Sequence, residues 1–126
     1  LHSHPAWSPH LIQGWTPDFI PLVLQETIDN NFYDDLIPVS GENGIKWSKK
    51  LAQCEGIFTG ISGGSSFAVA MQVAETAKPG ATILCMLPDT GERYLSSSLF
   101  DGIQEDMSPE EIGLSNSTPG YQMSTT

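Results

Sequence analysis

The sequence IFTGISGG, residues 57–64, decides the fold that we predict for this chain. Its apolar start, 57–61, is typical of a strand buried in a parallel sheet, and its Ser-Gly-Gly end is typical of a tight turn. A helix rich in small and apolar residues is predicted over 65–77, and an uninterrupted apolar strand over 82–87. Strand, turn, helix and strand within about 30 residues make a βαβ unit. We therefore predict an α/β fold with a partial parallel sheet and flanking helices.

Three further elements are predicted upstream of this unit. Pro21 suits the first position of a helix, which is predicted to reach about Ile28. A short strand is predicted over 35–39. A second helix is predicted over 45–54, after a cap or turn over 40–44, and Gly56 is the residue type that commonly closes a helix.

The end of the chain combines a helix-start signature with a polar tail. The sequence SPEE at 108–111 is a capping box with proline in the first turn. Small and polar residues predominate over 115–126, so we predict disorder there. The sequence therefore predicts one domain over 1–107, followed over 108–126 by a short helix start and a disordered tail.

The charge balance excludes several classes of partner. The chain has 126 residues, with 15 acidic and 5 basic side chains and a formal net charge of −10. Binding to nucleic acid or to an anionic membrane surface requires clustered Lys and Arg, and the few bases here form no basic face. No apolar run approaches the roughly 18 residues of a spanning helix. We expect neither nucleic-acid nor membrane binding.

Two cysteines, Cys54 and Cys85, lie in apolar-patterned segments and form no CxxC pair. Buried free thiols fit this pattern better than a disulfide or a metal site. Free thiols favour a reducing, cytoplasmic setting. The polar, proline-containing start at 1–10 does not resemble a signal peptide.

Two catalytic interpretations fail on the position of the histidines. The G-x-S-x-G pattern at 60–64 matches the elbow that exposes a nucleophilic serine. Such a serine needs a base within hydrogen-bond reach, and the hydrolase order places that histidine later in the chain. His2, His4 and His10 all precede it, and no Cys or carboxylate stands at ligand spacing beside them. We therefore expect neither a serine hydrolase nor a metal site.

Two loops remain as candidate ligand sites. Glycines within 60–64 would let the backbone approach a ligand, with Ser62 as a hydrogen-bond partner at the end of a predicted strand. The alternative, that these glycines only make a tight turn, stays open. The loop 88–93 leaves the next predicted strand, so both loops should face one edge of the sheet. There, Asp89 and Arg93 would either contact a ligand or pair with each other or with Glu92 to order the loop.

Three motifs in register resemble one enzyme family. The sequence PHLIQGWTPDFIP at 9–21 resembles the family segment PHKIQGxGxGFIP. The sequence EGIFTGISGG at 55–64 resembles EGIxxGISSG, and PDTGERYLS at 88–96 resembles PDSGERYLS. Their order and spacing are similar to the C-terminal third of cysteine synthase (O-acetylserine sulfhydrylase) and its relatives, including cystathionine β-synthase. The resemblance covers about residues 8 to 101.

This resemblance implies the C-terminal portion of a fold-type II pyridoxal-phosphate enzyme, within its large domain. The family replaces the β-substituent of an activated serine, typically the acetate of O-acetylserine by sulfide. By carry-over, Ser62 hydrogen-bonds the pyridine nitrogen of pyridoxal 5'-phosphate, and Pro88 and Asp89 line that side of the ring. Gly14 and Thr16 match the loop beside the substrate. The implied partners are a small amino-acid substrate and further copies of the chain in a homo-oligomer, in the cytoplasm.

The chain departs from the family pattern at two places. Gly63 stands where the family has a second serine, and we expect this change to loosen the turn. Trp15, Thr16 and Asp18 stand in the segment where the family has glycines beside the substrate. These bulky and acidic residues leave the acyl-serine substrate and the nucleophile open.

The family's cofactor-bearing lysine, phosphate cradle and substrate-carboxylate loop lie upstream of these motifs, and no lysine of this chain stands at a matching position. We therefore expect the chain alone to be inactive and to bind the cofactor weakly. The alternative is a stand-alone, non-catalytic binding or interaction module derived from that fold. Either way, a third of an α/β enzyme would expose apolar faces, with Trp7, Trp15 and Trp47 as candidates, and self-associate.

Overall fold

The computed structural model describes residues 7–15 and 17–117. Over these ranges the regular secondary structure is helical. Two short 3-10 helices lie between the third and fourth α-helices. No helix in the described ranges is long and apolar enough to cross a membrane. The α-helices are α1 (Leu22–Asp29), α2 (Gly41–Glu55), α3 (Ile61–Thr76) and α4 (Pro109–Ser117), and the 3-10 helices are Gly91–Tyr94 and Ser98–Phe100.

The parallel sheet predicted from the sequence is not confirmed. The predicted strands over 35–39, 57–61 and 82–87 are not strands in the described structure, where Thr59 and Thr90 form an isolated antiparallel bridge. A parallel strand satisfies its backbone groups only on a neighbouring strand, and the described residues provide none. The segment 82–87 is also not buried as predicted. The side chain of Leu84, for example, is 96% exposed.

Helix α3 begins at Ile61, four residues before the predicted start. The Ser-Gly-Gly sequence at 62–64 therefore forms the first turn of the helix and not a tight turn before it. Gly60 is the N-cap residue, and its carbonyl accepts a hydrogen bond from the Gly64 N–H at 3.1 Å. The glycines suggested a turn because their conformational freedom is most often used there.

Glycines allow α2 and α3 to approach each other backbone to backbone. A Cβ at Gly64 would overlap the Gly44 carbonyl oxygen and lie 2.6 Å from the Ser48 backbone nitrogen. A Cβ at Gly44 would overlap the Ser65 hydroxyl, which is fully buried and donates to the Ile61 carbonyl at 2.9 Å. The crossing of the two helices therefore requires residues without side chains at 44 and 64.

Local capping signals lie close to where the sequence predicts them, although α2 begins at Gly41, four residues before its predicted start. The Ser40 hydroxyl accepts from the Asn43 N–H at 3.2 Å at the start of α2, and Gly56 closes α2 with a φ of 68°. At α4, the Ser108 N–H donates to Glu111 Oε2 at 2.7 Å and the Glu111 N–H donates to the Ser108 hydroxyl at 3.3 Å. This reciprocal pair is the predicted capping box. Residues 118–126 of the predicted tail lie outside the described range.

The core is small, and much apolar surface is uncovered. Buried Ile12, Ile61 and Leu99 form one cluster. Partly buried side chains pack around it: Trp15, Val39, Ile45, Tyr94 and Phe100. Of the tryptophans expected at the surface, Trp7 is 41% exposed, and Trp15 and Trp47 are partly buried.

The prediction of buried thiols was wrong for both cysteines. Both cysteines are free, as expected, but Cys54 is exposed and Cys85 is only partly buried. Partial burial raises the pKa of the Cys85 thiol. Cys54 lies near the end of α2, on a face that the described residues do not cover.

Candidate functional site

Ser62 is the second residue of α3, and its side chain is 4% exposed. The residue before it, Ile61, belongs to the buried apolar cluster and fixes the first turn of the helix. Tyr94, which lies more than thirty residues later in the chain, packs against the same cluster. The start of α3 and the segment 88–94 are therefore neighbours in the structure.

Tyr94 joins this segment to the start of α3. Its hydroxyl donates a short hydrogen bond to Asp89 Oδ2. The pKa of Tyr94 lies above its ordinary value because of that hydrogen bond, burial and the negative charge of Asp89. The positive charge of Arg93 and the nearby Ser62 hydroxyl lower it by a smaller amount. The Tyr94 hydroxyl thus bonds to Asp89 and lies near Ser62.

Gly60 provides the space into which Tyr94 and Asp89 fit. A Cβ at this position would overlap Cε2 of Tyr94 and lie 2.5 Å from Asp89 Oδ1. Asp89 Oδ1 is buried and has no hydrogen-bond partner among the described residues. A buried carboxylate oxygen without a partner costs about 1–3 kcal/mol, so this atom is suited to a polar group supplied from elsewhere.

Thr59 connects the Asp89 segment to α2 and to the start of α3. The side chain of Thr59 is 1% exposed, and its hydroxyl donates to the Asp89 carbonyl at 3.1 Å. The Thr59 carbonyl accepts from the Ser48 hydroxyl of α2 at 2.6 Å. The Gly91 N–H also donates to the Phe58 carbonyl, at 3.3 Å.

The glycines at 63 and 64 face protein and not a ligand. A Cβ at Gly63 would overlap Thr59 Oγ1, and a Cβ at Gly64 would overlap the Gly44 carbonyl oxygen. Of the two interpretations left open by the sequence, close packing therefore accounts for these two glycines. Gly60 is the glycine that borders the polar cluster of Ser62, Asp89 and Tyr94, which we call the serine–aspartate cluster.

The other sequence-predicted site residues lie around or outside this cluster. Pro88 precedes Asp89 and is exposed. Gly14 is exposed with a φ of 81°, in a turn closed by the Trp15 N–H donating to the Ile12 carbonyl at 3.3 Å. Through Ile12, this turn is attached to the apolar cluster beside Ser62. Thr16, the second predicted substrate residue, lies outside the described residues.

The histidines are placed as follows. His2 and His4 lie outside the described residues, and His10 Nδ1 accepts from the Ile12 N–H at 3.2 Å. His10 also lines a cavity of about 820 Å³ beside the start of α2. Neither Ser62 nor Asp89 lines this cavity. Its lining residues are 9–12, Trp15 and 36–42.

Sequence reasoning missed the parts played by Tyr94 and Thr59. Tyr94 stands five residues after Asp89 in the same motif, and the short helical segment Gly91–Tyr94 turns its hydroxyl back to that carboxylate. That turn could have been suspected from the Thr-Gly sequence at 90–91. Nothing in the sequence indicated that Thr59 reaches Asp89, because thirty residues separate them.

Comparisons with known proteins fit the motifs of the sequence. O-ureido-L-serine synthase of Streptomyces lavendulae is 50% identical over 99 residues, which are 79% of this chain and 29% of that protein. A probable cysteine synthase of Bacillus subtilis (strain 168) is 38% identical over 94 residues, 75% of this chain and 29% of that protein. No family model matches the chain.

The fold agrees with a solved structure of the same kind. The crystal structure of O-ureido-L-serine synthase superposes with a TM-score of 0.73 at 47% identity, over 85% of this chain and 33% of that one. The chain thus spans about 29% of the length of the curated relatives that it matches.

Proposed function

The chain belongs to the cysteine synthase family, and on that premise we propose that it forms part of a pyridoxal-phosphate enzyme that replaces the β-substituent of an activated serine. The observation that carries the proposal is the serine–aspartate cluster, in which the family motifs at 55–64 and 88–96 converge on Tyr94. The known relatives are about three times longer, so the activity is proposed for the complete enzyme.

The residues of the cluster fit the polar edge of a flat heterocycle. Asp89 Oδ1 is a buried acceptor without a partner among the described residues, and Gly60 leaves no side chain between it and the start of α3. Ser62 offers a neutral hydroxyl at the same place. We assign Ser62, with Pro88 and Asp89 beside it, to the ring-nitrogen side of pyridoxal 5'-phosphate.

The protein groups in this cluster would control protonation at the ring edge. The Tyr94 phenol is protonated at neutral pH, as tyrosine ordinarily is, and its raised pKa extends its role as a donor to Asp89 to higher pH. Ser62 is uncharged at any physiological pH and would form a neutral hydrogen bond with the ring nitrogen. When bound, the cofactor supplies an electron sink at the substrate's α-carbon, which allows the β-substituent to leave and a nucleophile to add.

The first candidate reaction is replacement of the acetate of O-acetylserine by sulfide. The second is formation of an O-ureido-serine product, with hydroxyurea oxygen as the nucleophile. The second is favoured by the higher identity to a protein named O-ureido-L-serine synthase, 50% against 38% for a probable cysteine synthase. We assign to Trp15, a bulky residue in the segment where the family has glycines beside the substrate, the role of restricting which nucleophile enters.

A chimera tests the proposal. The segment of Streptomyces lavendulae O-ureido-L-serine synthase that matches this chain is replaced by the chain itself, and cofactor content is read from visible absorption. Ser62→Ala should weaken cofactor binding about 2- to 12-fold, the effect of one hydrogen bond of about 0.5–1.5 kcal/mol. Ser66→Ala is the matched control, since Ser66 lies one turn further along α3 and is partly buried.

The same chimera separates the two reactions. Product formation from O-acetylserine is compared with sulfide and with hydroxyurea as the nucleophile. Equal cofactor content in the Ser62→Ala and Ser66→Ala chimeras would refute the assignment of Ser62. A chimera that binds the cofactor but uses neither nucleophile would refute both candidate reactions.

A further inference from the structure

We propose that Thr59 is a positioning residue that holds Asp89 in place against Tyr94 and Ser62. The contacts of this chain support the positioning of Asp89. That this positioning serves cofactor binding rests on the proposed function. Thr59 carries no charge, and its hydroxyl bonds to the main-chain carbonyl of Asp89 and not to the carboxylate. It acts through the backbone of Asp89.

Thr59 is the point at which three parts of the chain meet. Its side chain is 1% exposed, and its hydroxyl donates to the Asp89 carbonyl at 3.1 Å. Its carbonyl accepts from the Ser48 hydroxyl of α2 at 2.6 Å, and it forms the bridge with Thr90. The Asp89 backbone is thereby fixed relative to both α2 and the start of α3.

Gly63 leaves the Thr59 side chain the space for this contact. A Cβ at Gly63 would overlap Thr59 Oγ1 and lie 3.0 Å from Thr59 Cβ and 3.1 Å from Cγ2. A side chain at 63 would therefore take the place of the Thr59 hydroxyl and press on its Cβ and Cγ2. Gly63, where the family has a serine, therefore leaves room for the Thr59 hydroxyl.

Both carboxylate oxygens of Asp89 have neighbours, so the position of the carboxylate depends on where the Asp89 backbone is held. Oδ2 accepts from Tyr94, and Oδ1 lies against Gly60. A small shift of the Asp89 backbone would lengthen the bond to Tyr94 and change the polar edge offered beside Ser62. The Thr59–Thr90 bridge and the bond from the Gly91 N–H to the Phe58 carbonyl, at 3.3 Å, also connect this segment to 58–60.

The test compares Thr59→Val, which keeps the shape and removes the hydroxyl, with Thr59→Ser, which keeps the hydroxyl. The readout is the ionisation of Tyr94, followed by NMR of ¹³Cζ-labelled tyrosine in the full chain without cofactor and assigned with Tyr94→Phe. We expect Thr59→Val to move the Tyr94 pKa down towards its ordinary value, because the Asp89 carboxylate is then held less firmly. Thr59→Ser should retain the wild-type titration.

Thr76→Val is the matched control. The Thr76 hydroxyl also donates to a backbone carbonyl, that of Val73 at 3.2 Å, but at the exposed end of α3. It should leave Tyr94 unchanged. Should Thr59→Val not fold, Thr59→Ala carries the same expectation. The proposal is overturned if the variant lacking the hydroxyl titrates like wild type, or if Thr59→Ser shifts Tyr94 as far as that variant does.

This outcome is independent of the cofactor. If Ser62→Ala leaves cofactor content unchanged in the chimera while Thr59→Val moves the Tyr94 titration, the proposed function fails and the positioning role stands. If cofactor content falls with Ser62→Ala but Tyr94 does not respond to Thr59→Val, the positioning role fails alone.

Discussion

Gly63→Ala should destabilise the chain although it places a better helix former inside α3. In an exposed helix interior, alanine is favoured over glycine by about 1 kcal/mol. At 63 the added Cβ would overlap Thr59 Oγ1 and lie 3.0 Å from Thr59 Cβ. Because Thr59 is 1% exposed and β-branched, it has no free space into which to move.

The size of the effect follows from these contacts. Overpacking of this kind costs about 1–3 kcal/mol, and displacement of the Thr59 hydroxyl removes a hydrogen bond worth about 1 kcal/mol. After subtraction of the helix preference, we expect a loss of about 2 kcal/mol in the free energy of unfolding. In a Thr59→Ala background the overlapping oxygen is absent, so the same change should cost little or stabilise.

Urea unfolding followed by the fluorescence of the partly buried Trp15 and Trp47 measures this cycle. The expected coupling between positions 59 and 63 is about 1–3 kcal/mol, in the range of residues in direct contact. Gly113→Ala in α4 is the control, because a Cβ there meets nothing within 4 Å and should not destabilise. A coupling near zero, or a Gly63→Ala chain as stable as wild type, would refute the packing of Thr59 over Gly63.

Three further predictions concern the cluster, the cofactor and the exposed surface. Tyr94→Phe should lower the unfolding free energy at neutral pH by about 1–3 kcal/mol, because Asp89 Oδ2 loses its donor. Since the pKa of Tyr94 is raised in the folded chain, its contribution is present below the ordinary value of about 10 and lost as pH rises through the folded pKa. Urea midpoints of wild type and Tyr94→Phe should therefore converge at alkaline pH, and a gap independent of pH would contradict this. Pyridoxal 5'-phosphate added to the 126-residue chain alone should give no new absorption near the visible edge, and the appearance of such a band would show that one of its lysines binds the cofactor. Light scattering should detect self-association, driven by apolar side chains such as Leu22 at 81% and Leu84 at 96% exposure, and a compact monomer would count against it.

The local parts of the fold could be predicted from the sequence. The cap at Ser40, the helix end at Gly56 and the capping box at 108–111 depend on residues within one turn of each other. The start of α3 was wrong because a Ser-Gly-Gly sequence suggests a turn, whereas here Gly64 is required by contact with α2. Such a requirement comes from a distant helix and leaves no local signal.

The predicted strands are not confirmed, for a different reason. The apolar segment 82–87 has the composition of a buried strand, but pairing depends on a neighbour that the pattern of one segment does not specify. The candidate site depends less on the predicted strands. Ser62 and Asp89 were expected at one edge of a sheet, and the structure brings them together through Gly60, Tyr94 and the Thr59–Thr90 bridge. Their role towards a cofactor stays a prediction.

The contact between Gly44 and Gly64 has a consequence for how the chain can diverge. Main-chain atoms have no alternative rotamers, so the spacing of α2 and α3 does not depend on which side chains cover their outer surfaces. Exposed residues of α2 such as Glu42 and Lys46 can therefore be exchanged without disturbing Ser62. The position of Ser62 should therefore change little among homologues even where the surface residues of α2 differ. A library randomised at these exposed positions should retain the position of Ser62.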